Sequence, residues 1–183
     1  MKIVLASSSP RRRELLSKIT ANFEVIPSNV EEHPTATIPT DVVQELACVK
    51  AQSVSALHPN DLVIGCDTVV DLDGQIFGKP HTHAHAKQML HALSGRTHFV
   101  HTGVCIIFNG QSFTFCDSTS VTFKALTDAE IDNYVNCGLA MDKAGAYGIQ
   151  ECGFVTSYNG SYDNVVGLPT ERVKAILDTL MKG

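Results

Sequence analysis

The chain has 183 residues, 44% hydrophobic and 18% charged, with a formal net charge of −5. That size and balance predict one domain spanning 1–183, and the acidic balance argues against the broad basic surface that nucleic-acid binding needs. No apolar run reaches the length of a membrane span, and the opening apolar stretch is too short for a signal peptide, so a cytoplasmic protein off the membrane is expected.

In chain order, residues 2–6 read as a short buried strand. Ser7-Ser8-Ser9-Pro10 follows, with Ser9 a natural N-cap and Pro10 a natural first helical residue for a helix near 10–19. Arg11, Arg12 and Arg13 then fall in the first turn, against the positive end of the helix dipole. Placed after a strand and a serine loop, they point to a bound polyphosphate held by helix-start N–H groups, hydroxyls (Ser7, Ser9) and guanidinium forks. Residues 23–26 are strand-like and 34–39 a loop. A helix is expected over 40–57, capped by Thr40, with Val43, Leu46, Ala47, Val54 and Leu57 as its apolar stripe.

Leu62 to Leu72 is an apolar strand and Asp73-Gly74 a hairpin turn. A helix near 81–93 precedes two long strands, 96–108 and 111–124, joined at Asn109-Gly110. Thr127 and Glu130 form a capping box for a short helix through Val135. A strand near 153–158 and a terminal helix from about 169 complete an α/β reading with a mixed sheet rather than regular βαβ alternation. Six cysteines without a C-x-x-C pair read as reduced core thiols, and neither histidine group has a recognisable zinc spacing.

The chemistry concentrates in few places. Asp67 is the one charge in an otherwise apolar strand centre, where a carboxylate must be paired, metal-bound or exposed at a cleft. A two-residue hairpin at Asp73-Gly74 would set Lys79 opposite Thr68, beside Asp67. Lys50 sits on the inward stripe of its helix, where a lysine either snorkels outward or reaches a ligand between helix and sheet. Glu31 and Glu32 are either solvated loop charge or oxygen ligands suited to magnesium or manganese. The glycine-punctuated segment Asp142–Gln150 allows close backbone approach to a ligand, and Gln150 has the paired donor and acceptor to read a base edge. No Walker or Rossmann glycine pattern accounts for the phosphate site.

These stretches resemble the Maf family of nucleoside triphosphate pyrophosphatases. The resemblance is carried, in family order, by Leu5-Ala6-Ser7-Ser8-Ser9-Pro10-Arg11-Arg12, Lys50-Ala51, Gly65-Cys66-Asp67-Thr68-Val69-Val70, Gly78-Lys79-Pro80, Leu93-Ser94-Gly95-Arg96-Thr97-His98, Asp142–Gln150 and Asn159-Gly160-Ser161-Tyr162 through Val166-Gly167-Leu168-Pro169. It implies an inosine-triphosphatase-like fold, a mixed twisted sheet with flanking helices and two lobes around a cleft. It further implies a divalent metal (Mg²⁺ or Mn²⁺), a homodimer, and cleavage of a nucleoside triphosphate to monophosphate and pyrophosphate. Asp67 matches the proton acceptor and a metal-site position. Arg11, Thr68 and Gln150 match positions that set substrate choice, while Ser7, Ser9, Arg12, Lys50 and Lys79 line the phosphate site, with Glu31 taken as the metal-site glutamate. The form Lys143-Ala144-Gly145-Ala146-Tyr147-Gly148-Ile149-Gln150 is similar to the branch acting on dTTP and UTP. A 7-methyl-GTP pyrophosphatase and a nucleotide-binding regulator of septum formation are the alternatives.

Overall fold

Seven strands form one mixed sheet in the computed structural model, which describes residues 1–181. They are β1 (Ile3–Leu5), β2 (Glu24–Val25), β3 (Leu62–Leu72), β4 (Gln75–Phe77), β5 (Thr97–Phe108), β6 (Gln111–Phe123) and β7 (Val155–Asn159). Their order is β2-β1-β3-β5-β6-β7, with β4 hydrogen-bonded to β3. β1 runs parallel to β2 and β3, and the other pairings are antiparallel. The difference follows from the connections: tight turns can join only antiparallel neighbours, whereas β1 reaches β2 through α1 (Pro10–Ser17). Both expected hairpins form, and all four turn residues, Asp73, Gly74, Asn109 and Gly110, have positive φ, as a primed two-residue turn demands.

The remaining helices are α2 (Pro39–Ser55), α3 (His83–Leu93), α4 (Asp128–Asn136), α5 (Tyr162–Val166) and α6 (Thr170–Leu180). The capping box of α4 forms as expected, and Ser9 caps α1 by accepting from Arg12 N–H. Thr40 does not cap α2. Pro39 takes the first helical position, which makes Ile38 the N-cap with no side-chain bond. Because α2 ends at Ser55, Leu57 falls outside the apolar stripe and is 80% exposed. The short α5, capped by Ser161, lies in a stretch for which no element was expected.

Two apolar clusters occupy opposite ends of β3 and β5. One joins Leu62, Ile64 and Cys66 to α1 and α6 through Leu15, Leu16, Val173 and Leu177. The other joins Val70, Leu72, Val100 and Phe123 to α3 and α4 through Leu90, Leu93 and Ile131. On the other face, α2 lies against β3 and β5. Gly65 and Gly103 permit this approach, since a Cβ at either position would collide with the backbone of Ala47 or Val43. Among the described residues, no helix is long and apolar enough to cross a membrane.

Candidate active site

β3 passes between the two clusters at Asp67 and Thr68, and a cleft of about 560 Å³ opens there. Asp67 lies on the same strand face as Gly65, so the close packing of α2 brings Lys50 over it. Lys50 Nζ donates to Asp67 Oδ1 at 2.6 Å and stands 3.0 Å from Glu32 Oε1. Of the two readings of Lys50, the structure therefore has it turned inward, toward the cleft. Asp67 is only 8% exposed. Burial raises its pKa above the ordinary carboxylate value, the positive charges of Lys50 and Arg12 pull it back down, and Glu32 adds to the rise. The result is a carboxylate more basic than one in water, with an ammonium at hand to hold its ionised form.

The arginine triplet divides into three fates. Arg12 is consumed by the protein: Nε donates to Gly167 O at 2.9 Å, Nη1 to Cys66 O at 3.0 Å and Ser7 Oγ at 3.3 Å, and Nη2 to Thr68 Oγ1 at 2.9 Å. It ties the loop after β1, β3 and the end of α5 together, so most of its donors are already engaged by the protein, although it still lines the cleft. Arg11 reaches the cleft rim, where Nη1 meets Asp142 Oδ2 at 2.8 Å and Nη2 meets Asp142 O at 3.2 Å. Arg13 is exposed and does not line the cleft. Burial alone would raise the Asp142 pKa, but hydrogen bonds from Lys143 and Arg11 outweigh it and hold the group down at about 2. Ser7 and Ser9 also line the cleft, although the Ser9 hydroxyl is engaged as the helix cap and Ser7 Oγ accepts from Ser9 N–H.

Lys79 arrives by a different route than the hairpin register suggested. β4 ends at Phe77, opposite Val70, and Gly78-Lys79-Pro80 leaves the ladder, so Lys79 is not the strand partner of Thr68. It stands exposed at the rim instead, as does Gln150, and both line the cleft. Of the two glutamates, Glu32 enters the cleft. Glu31 turns to His33 at 3.3 Å and is outside the lining, which corrects its placement as the site glutamate.

The 142–150 segment folds into a tight turn around Ala144–Ala146. Gly145 has φ +65 and donates its N–H to Gly78 O at 3.0 Å, which fastens this turn to the Lys79 loop. Lys143 is absorbed by Leu139 O, Asp142 and Glu151, so its charge serves the turn. Tyr147 donates or accepts at His98 Nε2 across 2.7 Å, and burial lowers the His98 pKa to about 4, so this ring is neutral at physiological pH.

No group of three or more His, Cys, Asp or Glu side chains converges on one point among the described residues. Two carboxylates, Asp67 and Glu32, do meet at Lys50 Nζ. Magnesium-like cations commonly take one or two protein carboxylates and complete their shell with water and substrate phosphate oxygens, so this donor set fits such an ion. Sequence reasoning missed Asp142 as the partner of Arg11, and it missed Thr102 on β5 and Asn164 on α5, which back Thr68 from behind. A threonine facing a threonine across paired strands was the available signal for the latter.

Comparison with known proteins places this geometry in context. A sequence profile described as Maf-like protein matches residues 2–180. The chain is 50% identical over 175 residues to the dTTP/UTP pyrophosphatase of Bacillus mycoides (strain KBAB4), covering 94% of this chain and 92% of that protein. It is 49% identical to the dTTP/UTP pyrophosphatase of Bacillus anthracis (strain CDC 684 / NRRL 3495) over the same shares. Among solved structures, the Ham1 protein of Staphylococcus aureus matches with a TM-score of 0.58 over 98% of this chain and 99% of its own, at 14% identity, a likeness of fold alone.

Proposed function

The chain belongs to the Maf-like protein family, and from that premise we propose that it is a nucleoside triphosphate pyrophosphatase acting on dTTP and UTP. The products are the nucleoside monophosphate and pyrophosphate. The observation that carries the reading is the buried carboxylate of Asp67, held by Lys50 at 2.6 Å in the middle of a cleft whose rim bears Arg11 and Lys79.

In this mechanism the triphosphate lies along the rim, where Arg11 and Lys79 offset its charge. Asp67 takes a proton from a water. The water oxygen forms a bond to the α-phosphorus as the bond from that phosphorus to the α–β bridging oxygen breaks, and the electron pair leaves with pyrophosphate. Burial makes Asp67 a stronger base, and Lys50 keeps it ionised until the proton arrives. Arg12 fixes Thr68 and the Cys66 carbonyl, and so the stretch of β3 on which Asp67 sits. Asp67 and Glu32 would hold Mg²⁺ or Mn²⁺, which when bound supplies charge neutralisation on phosphate oxygens. One domain, a homodimeric assembly and a cytosolic location complete the reading.

A panel of dTTP, UTP, CTP and 7-methyl-GTP with Mg²⁺ or Mn²⁺, read by product identity, tests it. Pyrophosphate with TMP or UMP as the dominant products is expected. A preference for 7-methyl-GTP, or release of orthophosphate, overturns the assignment.

A further inference from the structure

Behind Thr68 runs a chain of hydroxyls whose direction can be deduced from donor arithmetic. Thr102 Oγ1 lies 2.9 Å from the backbone carbonyl oxygen of Asn164. A carbonyl oxygen only accepts, so the single Thr102 hydroxyl hydrogen is committed to it. Thr68 Oγ1 lies 3.0 Å from Thr102 Oγ1. Because Thr102 has no second hydrogen to give, Thr68 must donate its own. On its other side Thr68 Oγ1 accepts from Arg12 Nη2 at 2.9 Å, and a guanidinium can only donate. Thr102 is fully buried, so no solvent competes for this arrangement.

Asn164 anchors the far end. Its side-chain amide donates to Val100 O at 3.1 Å and to Thr119 Oγ1 at 2.9 Å, and Thr119 in turn donates to Ser161 O at 3.0 Å. Both hydroxyl chains therefore run the same way, into the α5 backbone, and hold it against β5 and β6.

Thr68 thus has its hydrogen turned into the sheet, one lone pair on Arg12, and one lone pair left, and it lines the cleft. We infer that Thr102 is a specificity-determining positioning residue: it locks the Thr68 hydroxyl as a pure acceptor, which selects substrates offering a ring N–H, the imide of a uracil-type base. An acceptor-only oxygen offers no hydrogen to a phosphate oxygen, so its free lone pair suits an N–H donor instead. Uracil and thymine carry a hydrogen at ring nitrogen N3, whereas neutral cytosine carries a lone pair there. Two lone pairs then face each other, and a site built around a donor rejects the ring that lacks it. This inference rests on the pyrophosphatase reading and deepens it.

The test is kcat/KM for UTP and CTP in wild type, Thr102→Val and Thr102→Ser. Valine keeps the shape and removes the lock, which frees Thr68 to donate; serine keeps the lock. The UTP:CTP ratio is expected to fall about tenfold in Thr102→Val, through a lower KM for CTP, with UTP turnover within about threefold, and to return in Thr102→Ser. A folded Thr102→Val protein with the wild-type ratio overturns the lock while leaving the pyrophosphatase reading intact, as does a wild type indifferent between UTP and CTP. Absence of pyrophosphate from every nucleotide removes the functional reading, and the lock with it. Should the valine variant not fold, the Thr68 hydroxyl proton in wild type decides. It is expected as a slowly exchanging NMR signal close to Thr102, and a rapidly exchanging proton contradicts the lock.

Discussion

Arg11 and Arg12 are neighbours in sequence and opposites in use. Arg12 belongs to the floor of the cleft, where four acceptor atoms in the loop after β1, on β3 and at the end of α5 engage all of its nitrogens. Arg11 belongs to the rim, where its partner Asp142 has a side chain 57% exposed. A surface pair of that kind contributes little to stability and exchanges readily for another anion. The floor, by contrast, is a built network in which each missing donor would strand a buried acceptor. The fold uses one arginine for rigidity and leaves the next in an exposed pair at the rim, and helix geometry alone sends the two side chains in different directions.

Four measurements put this contrast at risk. The largest concerns the floor carboxylate: Asp67→Asn keeps its size and removes its basicity, so kcat for dTTP should fall about a thousandfold, and survival within tenfold removes its role as base. Next, Arg12→Ala strands Gly167 O and Cys66 O and should cost about 3 kcal/mol, a drop in Tm of roughly 9 °C by calorimetry; no rescue is expected from Arg12→Lys, which lacks the fork. At the rim, Arg11→Ala should leave Tm within about 1 °C and raise KM for dTTP about tenfold, and unchanged steady-state kinetics would count against a ligand contact there.

The smallest effect is in the pH profile. The base must be ionised, so kcat/KM is present above the raised Asp67 pKa and lost as pH falls through it, with an acid limb above the ordinary aspartate value of about 3.9. Since a raised carboxyl pKa means protonation favours the folded state, this loss should come without a fall in Tm. The stability contribution of Asp142 has the opposite sign. It is full above the ordinary aspartate range and lost only as pH falls toward about 2, so the Arg11 contact should outlast the activity. An acid limb that coincides with unfolding would contradict both statements.

Much of this was legible in the sequence because it is local. Ser9-Pro10 as a helix start, the two hairpin turns and the Thr127–Glu130 box are each decided within four residues, and each forms. Asp67 stood out for a local reason too, as a charge in an apolar strand. What failed depended on contacts the sequence does not display. Lys79 follows the hairpin register only as long as β4 continues, and β4 stops at Phe77. Glu31 and Glu32 sit in a loop without periodicity, so which one turns inward is set by where Lys50 lies. The acceptors of Arg12 at Cys66, Thr68 and Gly167 are likewise brought to it only by the fold. The Thr68–Thr102–Asn164 relay crosses two strands and a helix, and no spacing rule joins residues that far apart.

The proposed chemistry sends water to the α-phosphorus rather than to the β-phosphorus. Hydrolysis of dTTP in ¹⁸O-labelled water, with the label located by mass spectrometry of the separated products, tests it most directly. Attack at the α-phosphorus puts ¹⁸O in thymidine monophosphate and none in pyrophosphate; label in the pyrophosphate would place the attack at the β-phosphorus and contradict the proposed chemistry.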